Sequence, residues 1–184
     1  MAEPNKINRE IYKLFIQTIT DAKTIELMAK QLTQIIVGAM GIKGATLLIL
    51  DPVKEELEIL ASAGLSMGYV QKGPILANKS VNLGRNQEPV VIADVEAQRD
   101  QLQYPDKARE EGIKSIVSQP IAVRGKVIGA LRLYNDLVWL VSDSDRVYIE
   151  ILAQNIGMAL MYFRVSLAVR NIKDTVNDIH SVWL

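Results

Sequence analysis

A chain of 184 residues can bury roughly 70% of its unfolded surface, so it needs no disulfide or metal staple to fold. Apolar residues at 49% and charged residues at 23% exclude a disordered chain, and 21 basic residues balance 21 acidic ones, which argues against tracking nucleic acid or anionic lipid. The absence of cysteine rules out thiol nucleophiles, redox pairs and thiolate metal sites, and a single histidine, His180, cannot build the usual imidazole metal sets or a triad. The polar start, with Pro4, Asn5, Lys6 and Arg9, has no signal-peptide core, and no run of about 18 uninterrupted apolar residues marks a membrane span. A cytoplasmic location is expected, with no metal and no cofactor.

Along the chain, Asn5 to Thr20 predicts a first helix with Ile7, Ile11, Leu14, Phe15 and Ile19 near one face and Asn5 as its cap. Thr24 to Met40 predicts a second, closed by Gly41 in a left-handed cap. The period then changes. Ala45 to Leu50 and Leu57 to Ala63 read as two strands around a polar turn at Asp51-Pro52. Leu65 to Gly73 predicts a short helix, Pro89 to Val95 a short strand, and Asp106 to Gly112 a charged helix.

Ser115 to Val123 and Lys126 to Asn135 form the clearest pair, two strands around Arg124-Gly125, whose glycine permits positive φ. Strands alternate their side chains. The odd positions Val117, Ile121, Val123, Val127, Leu131 and Leu133 should therefore pack on helices. The even positions Ile116, Ser118, Pro120, Ile128, Ala130, Arg132 and Tyr134 should face something more polar. From Asp143 the chain reads as one helix of about 40 residues, roughly 60 Å, with Ser142 and Asp145 spaced as a capping box.

This order of elements resembles the GAF domain. The resemblance rests on Glu88-Pro89-Val90-Val91-Ile92 with Asp94, on Ala108-Arg109-Glu110-Glu111-Gly112-Ile113-Lys114-Ser115, and on Gln119-Pro120-Ile121 leading to Arg124-Gly125-Lys126-Val127-Ile128-Gly129-Ala130-Leu131. Ser142-Asp143 stands before the last helix, where the family usually has such a pair. It covers about Ile11 to Phe163 and implies an α+β fold: a six-stranded antiparallel sheet backed by helices, here with a long C-terminal helix. Residues 1–165 would form the sensor domain and 166–184 a helical extension. The resemblance also implies a ligand pocket, when one exists, between the even hairpin face and the segment Leu65 to Tyr104. The branch of the family that reduces free methionine sulfoxide needs cysteines, so that activity is excluded. Relatives that bind cyclic nucleotides carry a longer signature than the Asn78-Lys79 found here.

On that reading the candidate ligand-binding residues are Arg132, Tyr134, Ser118, Ile116, Asp94 and Tyr104. A guanidinium on an apolar strand face must be paired or solvated, and its shape suits a carboxylate or phosphate. Asp94 could be its protein partner, or could bond its own turn, as an Asp after a strand commonly does. Tyr134 and Ser118 share the face of Arg132, and Tyr104 could act as a lid. The charged cluster Lys107, Arg109, Glu110 and Glu111 reads most simply as a solvated helix face.

The last helix carries a heptad-like stripe of Ile151, Asn155, Met158, Tyr162, Val165, Val169, Ile172, Val176, Ile179 and Trp183. Up to Tyr162 it could dock on the domain's own sheet. Beyond, Val165, Val169, Ile172, Val176, Ile179 and Trp183 are the expected dimerisation residues, with the first helix joining a four-helix bundle. The expected function is a non-catalytic regulatory module that binds a small, anionic metabolite and homodimerises, handing its signal to a separate signalling protein. If the chain is a fragment, the tail would instead link to an output domain. The alternative is a structural domain whose pocket is filled by side chains such as Ile116, Ile128, Leu76 and Leu83.

Overall fold

The computed structural model describes the backbone of residues 5–80 and 88–182, and the side chains of all these except 79–80 and 174–182. Helix α1 spans Arg9–Asp21, and Asn8 caps it by accepting from the Ile11 amide at 2.9 Å. Asn5, the cap expected from sequence, is instead the acceptor for the Ser142 hydroxyl at 2.9 Å. Helix α2 spans Ile25–Met40, opened by Thr24 and closed by Gly41 at φ 58°. Both ends follow the sequence expectation, because caps are satisfied by groups two or three residues away.

Six strands follow: β1 (Gly44–Asp51), β2 (Glu56–Ala63), β3 (Ile75–Leu76), β4 (Val90–Ile92), β5 (Ser115–Val123) and β6 (Lys126–Asn135). They form one antiparallel sheet in the order β3-β2-β1-β6-β5-β4. Short helices α3 (Met67–Val70), α4 (Ala77–Ser80) and α5 (Pro105–Glu110) and a 3-10 turn at Arg99–Gln101 lie in the connections. Helix α6 runs over Asp143–Val182, 40 residues. The β5–β6 turn places Arg124 at φ 51° and Gly125 at φ 77°, the two left-handed residues of a tight hairpin.

One face of the sheet meets α1, α2 and α6 in the main core. Phe15, Met28, Leu32 and Ile36 from the helices pack there with Leu47, Val117, Ile121, Leu131 and Leu133 from the strands. The other face carries two smaller apolar clusters, one around Leu48, Leu57 and Val127 and one around Tyr69, Ile92, Ile116 and Tyr134.

The simple odd–even division of the hairpin fails at one place. The register steps from Ile121 opposite Gly129 to Ala122 opposite Val127, leaving Ile128 as the extra residue of a bulge. Below it the parity of β6 reverses. Val127 turns to the Leu48 cluster and Ile128 packs against the helix-side core, opposite to the sides expected for them.

Helix α6 lies on the sheet with Ile149, Leu152, Ala153, Ile156 and Leu160, all at most 2% exposed. The heptad-like stripe is a different face. Ile151, Met158 and Tyr162 are 38%, 70% and 69% exposed, so the stripe does not dock on the sheet as it could have done. The sheet-facing row and the stripe are offset around the helix, and only one can face inward. Within Asp143–Lys173 an 18-residue window reaches mean hydropathy 1.3, long and apolar enough to cross a membrane by length and composition; here the helix's inner row forms part of the domain core.

The start of α6 is also tied to the start of the chain. Ser142 Oγ accepts from the Asp145 amide at 3.1 Å, the expected half of a capping box. The Asp145 carboxylate does not return that bond. It accepts from the backbone amides of Lys6 at 3.1 Å and Ile7 at 2.9 Å, pinning the segment before α1 against α6.

Candidate ligand-binding site

Over the face of β4, β5 and β6 that turns away from the main core, the crossover from α3 to α5 closes a small cavity. Its walls come from Tyr69, Lys72, Ile75, Gln103, Tyr104, Val90, Ile92, Ile116, Ser118 and Arg132, among others. Its free volume is about 20 Å³, room for about one water-sized group. Anything larger requires side chains of the crossover to shift.

The strands supply the floor. Ile116 and Ser118 on β5 stand opposite Tyr134 and Arg132 on β6. Arg132 is 8% exposed, and its Nε has no hydrogen-bond partner among the described residues. Nor does any described carboxylate lie within ion-pair distance of it. The seven residues between Ser80 and Glu88 contain no Asp or Glu. Ser118 Oγ, also buried, is likewise unpartnered. Two residues of the cavity wall therefore carry buried polar atoms with no partner among the described residues, a costly arrangement unless a ligand or water satisfies them.

The roof is tied down by a local network. Gln103 Nε2 donates to the Pro74 carbonyl at 2.9 Å and to the Tyr104 hydroxyl at 3.2 Å, while its Oε1 accepts from the Leu76 amide at 3.1 Å. Tyr104 donates to the Pro74 carbonyl at 2.8 Å. Gly73 makes this closure possible: its φ is 130°, and a Cβ there would stand 2.7 Å from the Tyr104 hydroxyl oxygen. Outside the cavity, Glu96 receives Arg109 at 2.9 and 2.8 Å, and Arg99 reaches Asp106 at 2.7 Å, linking the crossover to α5. The Arg109 guanidinium holds the Glu96 carboxyl down at about 2. Of the cluster read as a solvated face, Lys107 pairs with Glu110 on the surface at 2.7 Å, while Arg109 and Glu111 instead tie α5 to Glu96 and Ser66.

Lys72 is the residue that sequence reasoning missed. Its Nζ lies 3.8 Å from the centre of the Tyr69 ring and donates to the Tyr69 carbonyl at 3.1 Å. Burial, and then the neighbouring Arg132 charge, push its ammonium down to about 8. The available signal was the three-residue spacing of Tyr69 and Lys72, which the turn after α3 uses to set amine over ring. Glu111, the nearest carboxylate to bear on Lys72, is occupied by the Ser66 amide at 2.9 Å and by the Ser66 hydroxyl.

Of the residues singled out in the sequence, Arg132, Ser118, Ile116 and Tyr104 come together on the cavity wall. Tyr134 lies beneath it, 1% exposed, edge-on to Tyr69 with ring centres 5.7 Å apart and its hydroxyl 3.3 Å from Thr46 Oγ1. Asp94 stands apart. Its Oδ1 accepts from the amides of Glu96 at 2.9 Å and Ala97 at 3.3 Å, so the carboxylate is consumed by its own turn and pairs with no arginine among the described residues. Leu76 pairs with Glu56 at the far edge of the sheet and is not on the cavity wall, and Leu83 lies outside the described residues.

In the described part of the stripe, Val165, Val169 and Ile172 are 57%, 60% and 65% exposed. The side chains of Val176 and Ile179, and Trp183 altogether, lie outside the described residues. Helix α1 runs beside the stripe: Tyr12 packs on Tyr148 at 5.3 Å, and Asn155 Nδ2 donates to the Tyr12 hydroxyl at 3.2 Å.

A six-stranded antiparallel sheet with helices on one face, and an irregular crossover roofing a cavity on the other, defines a class of regulatory and sensory domains found in signalling proteins. The chain belongs to the GAF domain family, whose sequence model matches residues 22–161. Among solved structures it is similar to the GAF domain of a phosphoenolpyruvate-protein phosphotransferase from Acinetobacter, with 16% identity and a TM-score of 0.73 over 86% of this chain and 97% of that one. The corresponding GAF domain from Coxiella burnetii gives 19% identity and a TM-score of 0.73, over 86% and 95%. Free methionine-R-sulfoxide reductase from Neisseria meningitidis, solved with its substrate, gives 17% and 0.70, over 86% and 90%. Compared by sequence with curated proteins, the chain matches none.

Proposed function

We propose that this GAF domain is a non-catalytic sensor that binds a small anionic metabolite at Arg132 and homodimerises through α1 and α6. The observation that supports it most is the Arg132 guanidinium, buried on a strand face with an unsatisfied Nε and no described carboxylate partner. An anion entering beneath Tyr104 would satisfy Arg132 and Ser118 together. The absence of cysteine removes thiol chemistry, and Ser118 has no base within hydrogen-bond reach among the described residues, which favours binding over turnover.

A thermal-shift screen against amino acids, nucleotides and carboxylates tests the ligand, because binding to the folded state raises its melting temperature. Arg132→Ala should abolish every anion-dependent shift; a shift that survives the substitution removes Arg132 from the site. The small free volume favours a second reading, a structural domain with a filled cavity that acts only as an interaction module. On that reading no metabolite shifts the melting point, and Arg132→Met leaves stability unchanged or improves it.

Dimerisation draws support from the continuous outer row of α6, Val147, Ile151, Met158, Tyr162, Val165, Val169 and Ile172, each at least 38% exposed. Exposed apolar rows of this extent mark association surfaces. Because Val165 and Val169 support no part of the domain core, Val165→Glu with Val169→Glu should convert dimer to monomer in sedimentation without lowering the domain's melting temperature in dilute solution. A wild-type monomer at tens of micromolar would end this part of the reading.

A further inference from the structure

We propose that Lys72 is the second cation of the cavity, and that the site therefore selects a dianionic oxyanion group, a phosphate ester or a short dicarboxylate, over a monoanion. The inference rests on the anion-binding reading above and adds the charge state of the ligand.

The argument is an inventory of polar atoms. Gln103 spends both ends of its amide on Pro74, Tyr104 and Leu76, and Tyr104 spends its proton on Pro74. Among the described wall side chains, what remains to meet a ligand is the Arg132 guanidinium, the Ser118 and Tyr69 hydroxyls, the Gln101 amide and the N–H bonds of Lys72 not given to the Tyr69 carbonyl. All of these can donate. No carboxylate is among the described wall residues, so two positive charges share one enclosure without an acid to balance them.

The groups that bear on Lys72 are Arg132 from β6, Glu111 from the end of α5, and the Tyr69 ring and carbonyl from α3, with Tyr104 on the facing wall. Of these only Glu111 is acidic, and Ser66 holds it. Burial first, and then repulsion from the Arg132 charge, lower the Lys72 pKa to about 8. One negative charge balances one of the two cations; two balance both. Lys72 needs only to leave the Tyr69 ring to meet a ligand in the cavity it already lines.

The sign of the pH effect follows. A bound dianion favours protonated Lys72, so the contribution of Lys72 to affinity is full below about pH 8 and declines above it.

The experiment measures calorimetric affinities of the full chain for sulfate, succinate, glycerol 3-phosphate and acetate at pH 6.8 and pH 9.5. Wild type, Lys72→Met, Lys72→Arg and Arg132→Ala are compared, with melting curves as the folding control. At the lower pH a dianion should bind at least about tenfold more tightly than acetate. That preference should shrink to about twofold or less at pH 9.5 and in Lys72→Met, and persist at both pH values in Lys72→Arg. Tighter binding of glycerol 3-phosphate than succinate assigns the phosphate ester, and the reverse assigns the dicarboxylate. A dianion preference that survives Lys72→Met overturns the inference alone, provided binding still depends on Arg132. Failure of every anion to bind folded wild-type protein, or binding indifferent to Arg132→Ala, overturns the anion-site reading as well.

Discussion

Gly129→Ala is expected to destabilise the domain by about 3 kcal/mol or more, enough to deplete soluble protein. A Cβ at Gly129 would lie 2.2 Å from the Leu48 carbonyl oxygen and 3.3 Å from its carbon. Both are backbone atoms of β1, and β6 pairs with β1 in the middle of the sheet, so no side chain can swing away. Relief would require parting β1 from β6 beside the bulge. Gly38→Ala supplies the control with opposite sign. Gly38 is exposed inside α2 with nothing within 4 Å of a built Cβ, so alanine there should stabilise by about 0.5–1 kcal/mol. Urea unfolding of the two variants checks the contrast; a Gly129→Ala protein within 1 kcal/mol of wild type would contradict the close β1–β6 approach.

Asp145→Ala should cost about 3 kcal/mol, lowering the melting temperature by roughly 6–12 °C. The carboxylate is 1% exposed and accepts two backbone amides, of which the Ile7 amide is buried. Alanine leaves both donors without a partner and removes a negative charge from the first turn of α6. Asp145→Asn keeps one acceptor oxygen and should recover about half the loss. Hydrogen exchange at Lys6 and Ile7 should accelerate in Asp145→Ala ahead of the rest of the domain. Because α1 flanks the outer row of α6, the same variant tests whether the pinned N-terminal segment supports dimerisation.

These expectations divide by how far apart the interacting residues lie in the chain. Cap residues Gly41 and Ser142, the hairpin at Arg124-Gly125 and the continuous helix from Asp143 were legible because each depends on neighbours within a turn or two. Alternation also placed Ile116, Ser118 and Arg132 on one face and Val117, Leu131 and Leu133 on the other, above the bulge.

What the chain alone left open was which polar group meets which. Asp145 reads as a capping-box residue, yet it serves Lys6 and Ile7, about 138 positions away. Asp94 could have paired with Arg132 and instead closes its own turn. Lys72 carried no motif, and only the packing of the crossover over β5 and β6 places it beside Arg132. By itself, then, the sequence determined the elements, their caps and the side of the sheet most residues face, since local periodicity and backbone preference act over a few residues. The tertiary structure decided where parity breaks, which carboxylates are spent and which donors remain unsatisfied, since those depend on contacts between segments far apart in the chain.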